Sequence, residues 1–230
     1  MKTLLLFGGT GAIGGAVGSR FADDGWRVVV ATRGEPRADG QLCWDPLAQA
    51  DAPPALAAAA PFDAVCWAQG ANRNDSVHDV DLDAHLDLYR ANCLFVIASL
   101  RVLLQRGLLA RPARLCVISS IWQDIARQHK LSYGMTKAAL RGLVLSAAVD
   151  LAADGHLINA VLPGALDTPM THANLAPAQI ERLLGGTGFG RLATLGDVAS
   201  TVHYLCSPAN TGVTGQFIKV DLGYSDVRIV

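Results

Sequence analysis

The stretch Leu4-Leu5-Leu6-Phe7-Gly8-Gly9-Thr10-Gly11-Ala12-Ile13-Gly14-Gly15 joins a short apolar run to five glycines. Only Leu4 to Phe7 are continuously apolar, whereas the apolar region of a secretory signal needs about 7–15 residues. An apolar run that passes into glycines and then into a helical pattern predicts a buried strand, a tight turn and a helix. We therefore interpret this stretch as the first strand and helix of an α/β protein.

The rest of the chain continues the alternation of strands and helices. The strand patterns are Arg27 to Ala31, Ala64 to Ala68, Arg114 to Ser119, Leu157 to Leu162 and Gln216 to Val220. The helical patterns are Ala12 to Asp24, Ala84 to Gln105, Ser132 to Ala153 and Gly196 to Cys206. This rhythm predicts a doubly wound parallel sheet, the Rossmann fold. We expect a single domain over residues 1–230, since its length and its 51% hydrophobic content suit one large core.

Composition argues against several classes of partner. The net charge is −1 with acids and bases interspersed, so nucleic-acid binding is not expected. No apolar stretch approaches the length of a membrane span, so no membrane is expected either. The six histidines show no paired ligand spacing, and a metal is not expected. The odd, widely spaced cysteines suit reduced thiols and a cytoplasmic location: Cys43, Cys66, Cys93, Cys116 and Cys206.

The glycine spacing predicts a dinucleotide site. Gly8, Gly11 and Gly14 fall three residues apart between a strand and a helix. Glycine there permits a tight turn, close backbone approach to a pyrophosphate, and close helix packing. We expect the phosphates to contact Gly8, Thr10, Gly11, Ile13 and Gly14. A glycine-rich turn without a ligand remains the alternative on this motif alone.

The second strand ends in Thr32-Arg33, where a fold that binds NAD usually has an acid. A hydroxyl and a guanidinium suit a 2′-phosphate instead, because a guanidinium donates bidentate hydrogen bonds to phosphate oxygens. The sequence therefore predicts NADP(H) as cofactor. The alternative is that Arg33 is an ordinary exposed arginine.

Candidate catalytic residues follow in the second half of the chain. Ser120 comes at the end of a predicted strand, thirteen residues before Tyr133. Tyr133 and Lys137 are separated by one helical turn and share a helix face. Asn92 lies in the middle of a predicted helix, where asparagine is an indifferent helix former and usually has another role.

Together these residues resemble the short-chain dehydrogenase/reductase family, and the resemblance covers nearly the whole chain. It implies that Tyr133 is the general acid or base and that Lys137 holds the nicotinamide ribose and lowers the tyrosine pKa. It also implies that Ser120 orients the substrate oxygen and that Asn92 anchors a proton-relay water. Further cofactor contacts implied by the resemblance are Asp45, Gly70, Pro163, Gly164 and Thr168.

The sequence departs from the family pattern at several positions. Phe7 stands where the family usually has threonine, and Ala12 where it has its middle glycine. Trp67-Ala68-Gln69-Gly70 replaces the family's Asn-Asn-Ala-Gly, and Leu222 replaces a glycine. The connection from Arg33 to Trp44 is too short for the usual helix, so we expect it to be trimmed there.

The substrate is expected to be a small-molecule carbonyl or alcohol compound. We expect it to contact Ser120, Trp122, Tyr133 and Met170, under a lid formed by residues of about 168–192. A narrower hypothesis is a ketoreductase for acyl-carrier-bound or polyketide-type intermediates, with Arg127 and Arg141 near the pocket. A non-catalytic NADP-sensing module, and an epimerase or dehydratase, remain as other classes. The family also implies a homodimer or homotetramer, to which apolar residues of the Tyr133 helix would contribute.

Overall fold

The computed structural model describes residues 1–168, 171 and 176–227. In chain order its strands and helices are β1 (Thr3–Phe7), α1 (Ala12–Asp23), β2 (Arg27–Thr32), β3 (Gln41–Cys43), α2 (Pro54–Ala59), β4 (Phe62–Trp67), α3 (Leu82–Tyr89), α4 (Phe95–Gln105), β5 (Leu109–Ile118), α5 (Leu131–Asp150), β6 (Leu157–Pro163), α6 (Pro177–Gly185), α7 (Leu195–Cys206) and β7 (Phe217–Val220). A π-helical turn, Arg90–Leu94, joins α3 to α4, and short 3-10 turns lie at Ile121–Gln123 and Ala152–Asp154.

All seven strands form one parallel sheet in the order β3-β2-β1-β4-β5-β6-β7. The predicted doubly wound Rossmann fold is therefore confirmed. The chain moves outward from β1 in one direction and then crosses over to β4 on the other side. Such a reversal opens a crevice at the carboxyl ends of the central strands, where ligands bind in open α/β sheets.

Alternate side chains of β1 point to opposite faces of the sheet and pack in two apolar layers. Leu4 and Leu6 pack in one layer with the apolar residues of α1 and α7. Leu5 and Phe7 pack in the other with residues of α4 and α5. All four side chains are fully buried, because a parallel strand in the middle of a sheet is covered on both faces.

Two departures from the family pattern explain each other in this core. Phe7 and Trp67 are neighbours in the sheet register, and their rings stack at 6.0 Å with an interplanar angle of 8°. Trp44 and Phe95 pack against Phe7 at centroid distances of 5.7 and 5.4 Å. The Trp67 indole N–H donates to the Ser99 hydroxyl at 2.8 Å. Four aromatic rings therefore pack together in this part of the core.

The structure confirms that the connection between β2 and β3 lacks a helix, and it corrects the predicted helix over Ala84 to Gln105. No helix lies between β2 and β3, which are joined by residues 33–40 only. The single helix predicted over Ala84 to Gln105 is interrupted by the π turn at Arg90–Leu94, in which Phe95 N donates to Arg90 O. An added residue of this kind shifts the phase of the apolar pattern at one point without ending the helical pattern, and the prediction of one continuous helix did not include such a shift.

Within the described part of the chain, no helix combines the length and the apolarity needed to cross a bilayer.

Candidate active site

The glycine turn after β1 brings two backbone segments into contact that a side chain would separate. Gly8 has a φ of +76°, and a Cβ added to it would lie 2.5 Å from Gln69 N. A Cβ on Gly14 would lie 2.1 Å from Gly8 O. Only glycine fits at these two positions. The turn ends at Gly11, the residue before α1. Gly11 has no side chain, so the N-terminus of α1 has no side-chain cap. Uncapped backbone N–H groups at a helix N-terminus suit an anion.

A cleft of about 1050 Å³ opens beside this turn, at the carboxyl ends of β1, β2 and β4. Its lining includes the predicted residues Gly8, Thr10, Gly11, Thr32, Arg33, Asp45 and Gly70. Ile13 is half-buried within α1, one residue before Gly14. The cleft is thus lined by seven of the fourteen residues predicted to contact a dinucleotide, and the other seven are not among its lining residues.

The end of β2 presents two arginines to the cleft rather than one. Arg33 and Arg37 both line it and are exposed, and within the described residues neither has an ion-pair partner. Glu35 lines the same region, so the local charge is mixed. The Thr32 hydroxyl donates to Gly34 O at 2.8 Å and orders the turn that follows it. Arg37 was missed from the sequence, although it lies only four residues after Arg33.

Gln69 supplies an observation that suits an absent ligand. Both polar atoms of its side-chain amide are buried and have no hydrogen-bond partner among the described residues, and the residue lines the cleft. A buried amide without partners is costly, and a bound polar group would satisfy it. The glycine cradle, the uncapped α1 and this amide all fit a nicotinamide dinucleotide. Asp45 is held beside them by Leu47 N, which donates to its carboxylate at 3.0 Å.

The candidate proton-transfer group lies where β5 ends and α5 begins. Ser120 is buried, and its hydroxyl accepts from Trp122 N at 3.3 Å. Burial raises the pKa of the Tyr133 phenol, while the adjacent Ser120 hydroxyl lowers it by hydrogen bonding. Ser120 and Tyr133 are therefore brought together as predicted, since the two side chains interact.

Lys137 lies behind the tyrosine. It is 4% exposed, and its ammonium donates to Ile118 O at 3.0 Å, 5.6 Å from the centre of the Tyr133 ring. Burial lowers the pKa of Lys137 to about 8. The resemblance led us to expect a lowered tyrosine pKa, whereas the pKa of Tyr133 is raised. In this arrangement the Lys137 charge is directed at a carbonyl, and burial of the phenol dominates.

Asn92 connects three parts of the site. Its amide oxygen accepts from Ala71 N at 2.7 Å, and its amide nitrogen donates to Ala71 O at 3.1 Å and to Thr136 Oγ1 at 2.9 Å. Thr136 lies between Tyr133 and Lys137 in α5, and its hydroxyl donates to Tyr133 O. The π turn that contains Asn92 is a feature frequently found at functional sites. Asn92 therefore ties the loop after β4 to the helix that carries the tyrosine and lysine.

The N-terminus of α5 is held by residues that the sequence did not single out. Asp75 is buried, and one of its carboxylate oxygens accepts from Ser132 N at 2.9 Å. His85 Nδ1 and the Ser132 hydroxyl are 2.9 Å apart. A carboxylate at a helix N-terminus is favourable, because it satisfies N–H groups and complements the helix dipole. These contacts hold the start of α5, where the residue before the helix, Lys130, makes no side-chain capping hydrogen bond.

Residues after β6 and β7 complete the surroundings. Pro163 ends β6, and Gly164 N donates to Val220 O at 3.0 Å. The Thr168 hydroxyl lies 3.1 Å from that of Thr171. Met170, predicted to contact substrate, lies outside the described residues. Leu222 adopts a φ of +55°, the left-handed conformation that glycine favours, which accounts for the glycine usually found there.

The predicted substrate residue Trp122 lines a second cleft, of about 810 Å³, between the segment after β5, α6 and the turn after β7. Tyr224 lies on the far side, and its ring leaves no room for a Cβ on Gly186, which would come within 2.7 Å. Arg182 and Tyr224 were missed from the sequence, because nothing in their local pattern indicates that they face Trp122. Arg141 is not in this cleft: it lies 3.6 Å from the Asp124 carboxylate and packs over Phe217.

Comparison with known proteins agrees with this geometry. A family model described as enoyl-(acyl carrier protein) reductase matches residues 54–225. A solved oxidoreductase of the short-chain dehydrogenase/reductase family from Burkholderia thailandensis superposes with a TM-score of 0.83 at 25% identity, covering 97% of this chain and 92% of that one. This chain belongs to the short-chain dehydrogenase/reductase family.

Other members are similar over the full length. The uncharacterized oxidoreductase YmfI of Bacillus subtilis is 26% identical over 239 residues, covering 97% of this chain and 98% of that protein. A gluconate 5-dehydrogenase from Burkholderia cenocepacia, solved with NADP and tartrate, has a TM-score of 0.85 at 23% identity. The superposition covers 99% of this chain and 96% of the gluconate 5-dehydrogenase chain. As a short-chain dehydrogenase/reductase, the protein is an oxidoreductase of alcohol or carbonyl substrates.

Proposed function

We propose that the protein is an NADP(H)-dependent carbonyl reductase or alcohol dehydrogenase in which Tyr133 transfers the proton. The observation that carries the proposal is the group formed by the buried Ser120 and Lys137 and the half-buried Tyr133, beside a cleft suited to a dinucleotide. When bound, the nicotinamide supplies or accepts the hydride. All other steps fall to side chains of this chain.

Tyr133 is proposed to give its hydroxyl proton to the substrate oxygen during reduction and to remove it during oxidation. Ser120 is buried beside the phenol and would donate a hydrogen bond to the same oxygen. A raised tyrosine pKa favours the protonated phenol, which is the form needed at the start of reduction. These two hydroxyls would orient the carbonyl group.

Lys137 is proposed to hold the nicotinamide ribose and to stabilise the tyrosinate. Its ammonium lies near Gly70: a Cβ there would be 3.7 Å from Lys137 Nζ and 3.3 Å from Asn92 Oδ1. The lysine therefore faces the dinucleotide cleft that Gly70 lines. Asn92 is proposed to keep the loop at Ala71 and helix α5 at a fixed separation, in addition to anchoring a proton-relay water.

The preference for NADP(H) is proposed from Arg33 and Arg37. Two guanidinium groups without carboxylate partners in the described chain would suit a 2′-phosphate with nearly two negative charges. Arg33→Asp should raise the KM for NADPH at least tenfold more than that for NADH. Equal effects on the two cofactors would contradict the assignment. Arg27→Asp, which makes the same change of charge at the opposite end of β2, provides a matched control.

A dimer or tetramer is proposed from apolar residues on α4 and α5 that face solvent. Ile97 is 46% exposed, Leu145 44% and Val149 76%. Covering such residues with a second copy would remove apolar surface from water. Light scattering at micromolar concentration should show more than one copy per particle, whereas a monomer would contradict the proposal.

We further propose one domain over residues 1–230, a lid at about 168–192, and a cytoplasmic location.

The deciding experiment is to titrate the purified protein with NADPH and NADH, and then to assay oxidation of the reduced cofactor with ketones and aldehydes. Turnover that Tyr133→Phe abolishes, with cofactor binding retained, would support the proposal. The Phe variant keeps the ring and removes only the hydroxyl. Binding without turnover of any carbonyl or alcohol compound would favour the non-catalytic sensing module. Acyl-carrier-bound substrates reduced in place of free ones would favour the carrier-dependent ketoreductase.

A further inference from the structure

The second cleft differs in charge from the rest of the site. We call it the outer cleft and define it by the described residues that line it: Trp122, Ile125, Ala126, Arg127, Gln128, Gln179, Arg182, Leu183, Gly185, Gly186, Tyr224, Ser225 and Val227. Two of these are arginines, and none is an aspartate or a glutamate. Its volume of about 810 Å³ lies within the range of small-molecule sites.

The outer cleft adjoins the candidate proton-transfer group. Trp122 lines the outer cleft with its side chain and donates its backbone N–H to the Ser120 hydroxyl at 3.3 Å. Below it, a small cavity of about 10 Å³ is bounded by Trp122, Leu183 and Tyr224, which also line the outer cleft. Ser120 does not line the outer cleft itself, but it contacts the backbone of Trp122, so a molecule that extends past Trp122 toward the interior would approach Ser120.

The two arginines have no counter-charge of their own. Neither Arg127 nor Arg182 forms an ion pair with any described residue. Arg127 stacks over the Trp122 ring at 5.9 Å. Its positive charge also contributes to the lowered pKa of Lys130, after burial. Among the described residues, the lining of the outer cleft thus has two positive charges and no carboxylate; behind it lies the buried Asp221, which accepts from Ser225 Oγ at 2.6 Å.

Polarity changes across the outer cleft. Arg127 and Arg182 are exposed, whereas Trp122, Ile125 and Leu183 are half-buried. The cations therefore stand nearer the solvent and the apolar side chains nearer the interior. A ligand that fits this arrangement has an apolar body with an anionic group at its outer end.

We propose that the substrate is a carbonyl or alcohol compound that carries a negatively charged carboxylate or phosphate group, bound by Arg127 and Arg182 in the outer cleft. The apolar part that bears the reacting carbon lies against Trp122 and Leu183 and points toward Ser120. This inference rests on the proposed oxidoreductase function and specifies its substrate class. It makes Arg127 and Arg182 specificity-determining residues.

The test compares matched pairs of substrates in the NADPH oxidation assay. One arm uses oxo carboxylic acids and their uncharged methyl esters, and the other uses hydroxyketone phosphates and the unphosphorylated hydroxyketones. We expect kcat/KM for the anion to exceed that for its neutral counterpart on the order of tenfold to a hundredfold, because hydrogen bonds to charged groups are strong. The arm with the larger ratio identifies the anionic group.

Variants separate binding by the arginines from a general effect of charge. Arg127→Gln and Arg182→Gln should each remove most of the preference for the anion by raising its KM, while the neutral partner is reduced as before. Arg27→Gln removes an exposed arginine at the amino end of β2, away from the outer cleft, and should leave the preference intact. A non-reducible carboxylate should inhibit reduction of the neutral ketone competitively, and its inhibition constant should rise in Arg182→Gln.

The outcomes distinguish this inference from the function on which it rests. Reduction of ketones with equal kcat/KM for charged and neutral partners, or arginine variants that affect both partners equally, would overturn the anion site and leave the reductase in place. Failure of all carbonyl and alcohol compounds with both NADPH and NADH would overturn the proposed function, and the inference with it.

Discussion

Replacing Lys137 with methionine should change how stability depends on pH. Lys137 is 4% exposed, and burial lowers its pKa from 10.5 to about 8. Such a difference corresponds to about 3 kcal/mol of destabilisation while the ammonium is charged in the fold. The cost is fully present below pH 8. It declines as pH rises from 8 toward 10.5, because the unfolded chain then holds a proton that the folded chain has lost.

Lys137 should therefore add about 2–3 kcal/mol to the free energy of unfolding of the wild type between pH 7 and pH 10. Other groups oppose this trend. Burial raises the pKa of Cys93 to about 11 and also raises that of Tyr133, so both favour the folded state less as pH rises. The quantity to compare is accordingly the difference between wild type and Lys137→Met. The Tyr133 contribution cancels in this difference, whereas that of Cys93 cancels only in part, because the Lys137 charge lowers the pKa of Cys93.

Urea denaturation at several pH values from 7 to 10, without added dinucleotide, measures that difference. Lys130→Met is the matched control. Its ammonium lies 5.5 Å from the centre of the same tyrosine ring but is less deeply buried, so the difference from wild type should change less with pH. Parallel curves for wild type and Lys137→Met would refute the reasoning, since they would show that the lysine carries no burial cost.

Three further substitutions test other features of the site and core. Gly14→Ala should abolish dinucleotide binding in a fluorescence titration, because its Cβ would lie 2.1 Å from Gly8 O; retained affinity would contradict the tight turn. Asn92→Ala removes three hydrogen bonds, so it should lower the free energy of unfolding by about 2–3 kcal/mol and should also lower kcat. An unchanged denaturation curve would show that Asn92 does not bridge the Ala71 loop and α5. Phe7→Thr restores the family residue yet should destabilise by about 3 kcal/mol or more, through loss of packing on Trp67; a stable variant would show that the stack contributes little.

The features that follow from local pattern were predictable from the sequence. The apolar runs and the glycine spacing gave the sheet, and the stretch from Leu4 to Gly15 forms the expected strand, turn and helix. The short segment after Arg33 has no helix, as its glycines and proline indicated. These features depend on backbone preferences of neighbouring residues, which a sequence records directly.

Features that depend on distant residues were not predictable. Phe7 and Trp67 were two unexplained departures until their register in the sheet placed one ring on the other. Arg182 and Trp122 line one cleft only because the folded chain places α6 beside the segment after β5. The pKa of Tyr133 depends on how much solvent reaches its hydroxyl, which spacing along a helix does not specify. Such relations arise only when the chain is folded.

The π turn at Arg90–Leu94 contains one residue more than a regular α-helical turn. The side chains of α3 are therefore rotated, relative to those of α4, from the directions they would have in one continuous helix. Each residue of an α-helix advances the direction of its side chain by about 100°. Deleting Ala91 would therefore let the turn become regular while rotating everything before it by about that angle relative to α4. Either the buried Leu88 or the buried Val96 would then point toward water. The extra residue sets the rotation between α3 and α4 that lets the apolar side chains of both helices face the same core. A continuous α-helix would have more regular hydrogen bonds, but it would bury fewer apolar side chains against this sheet.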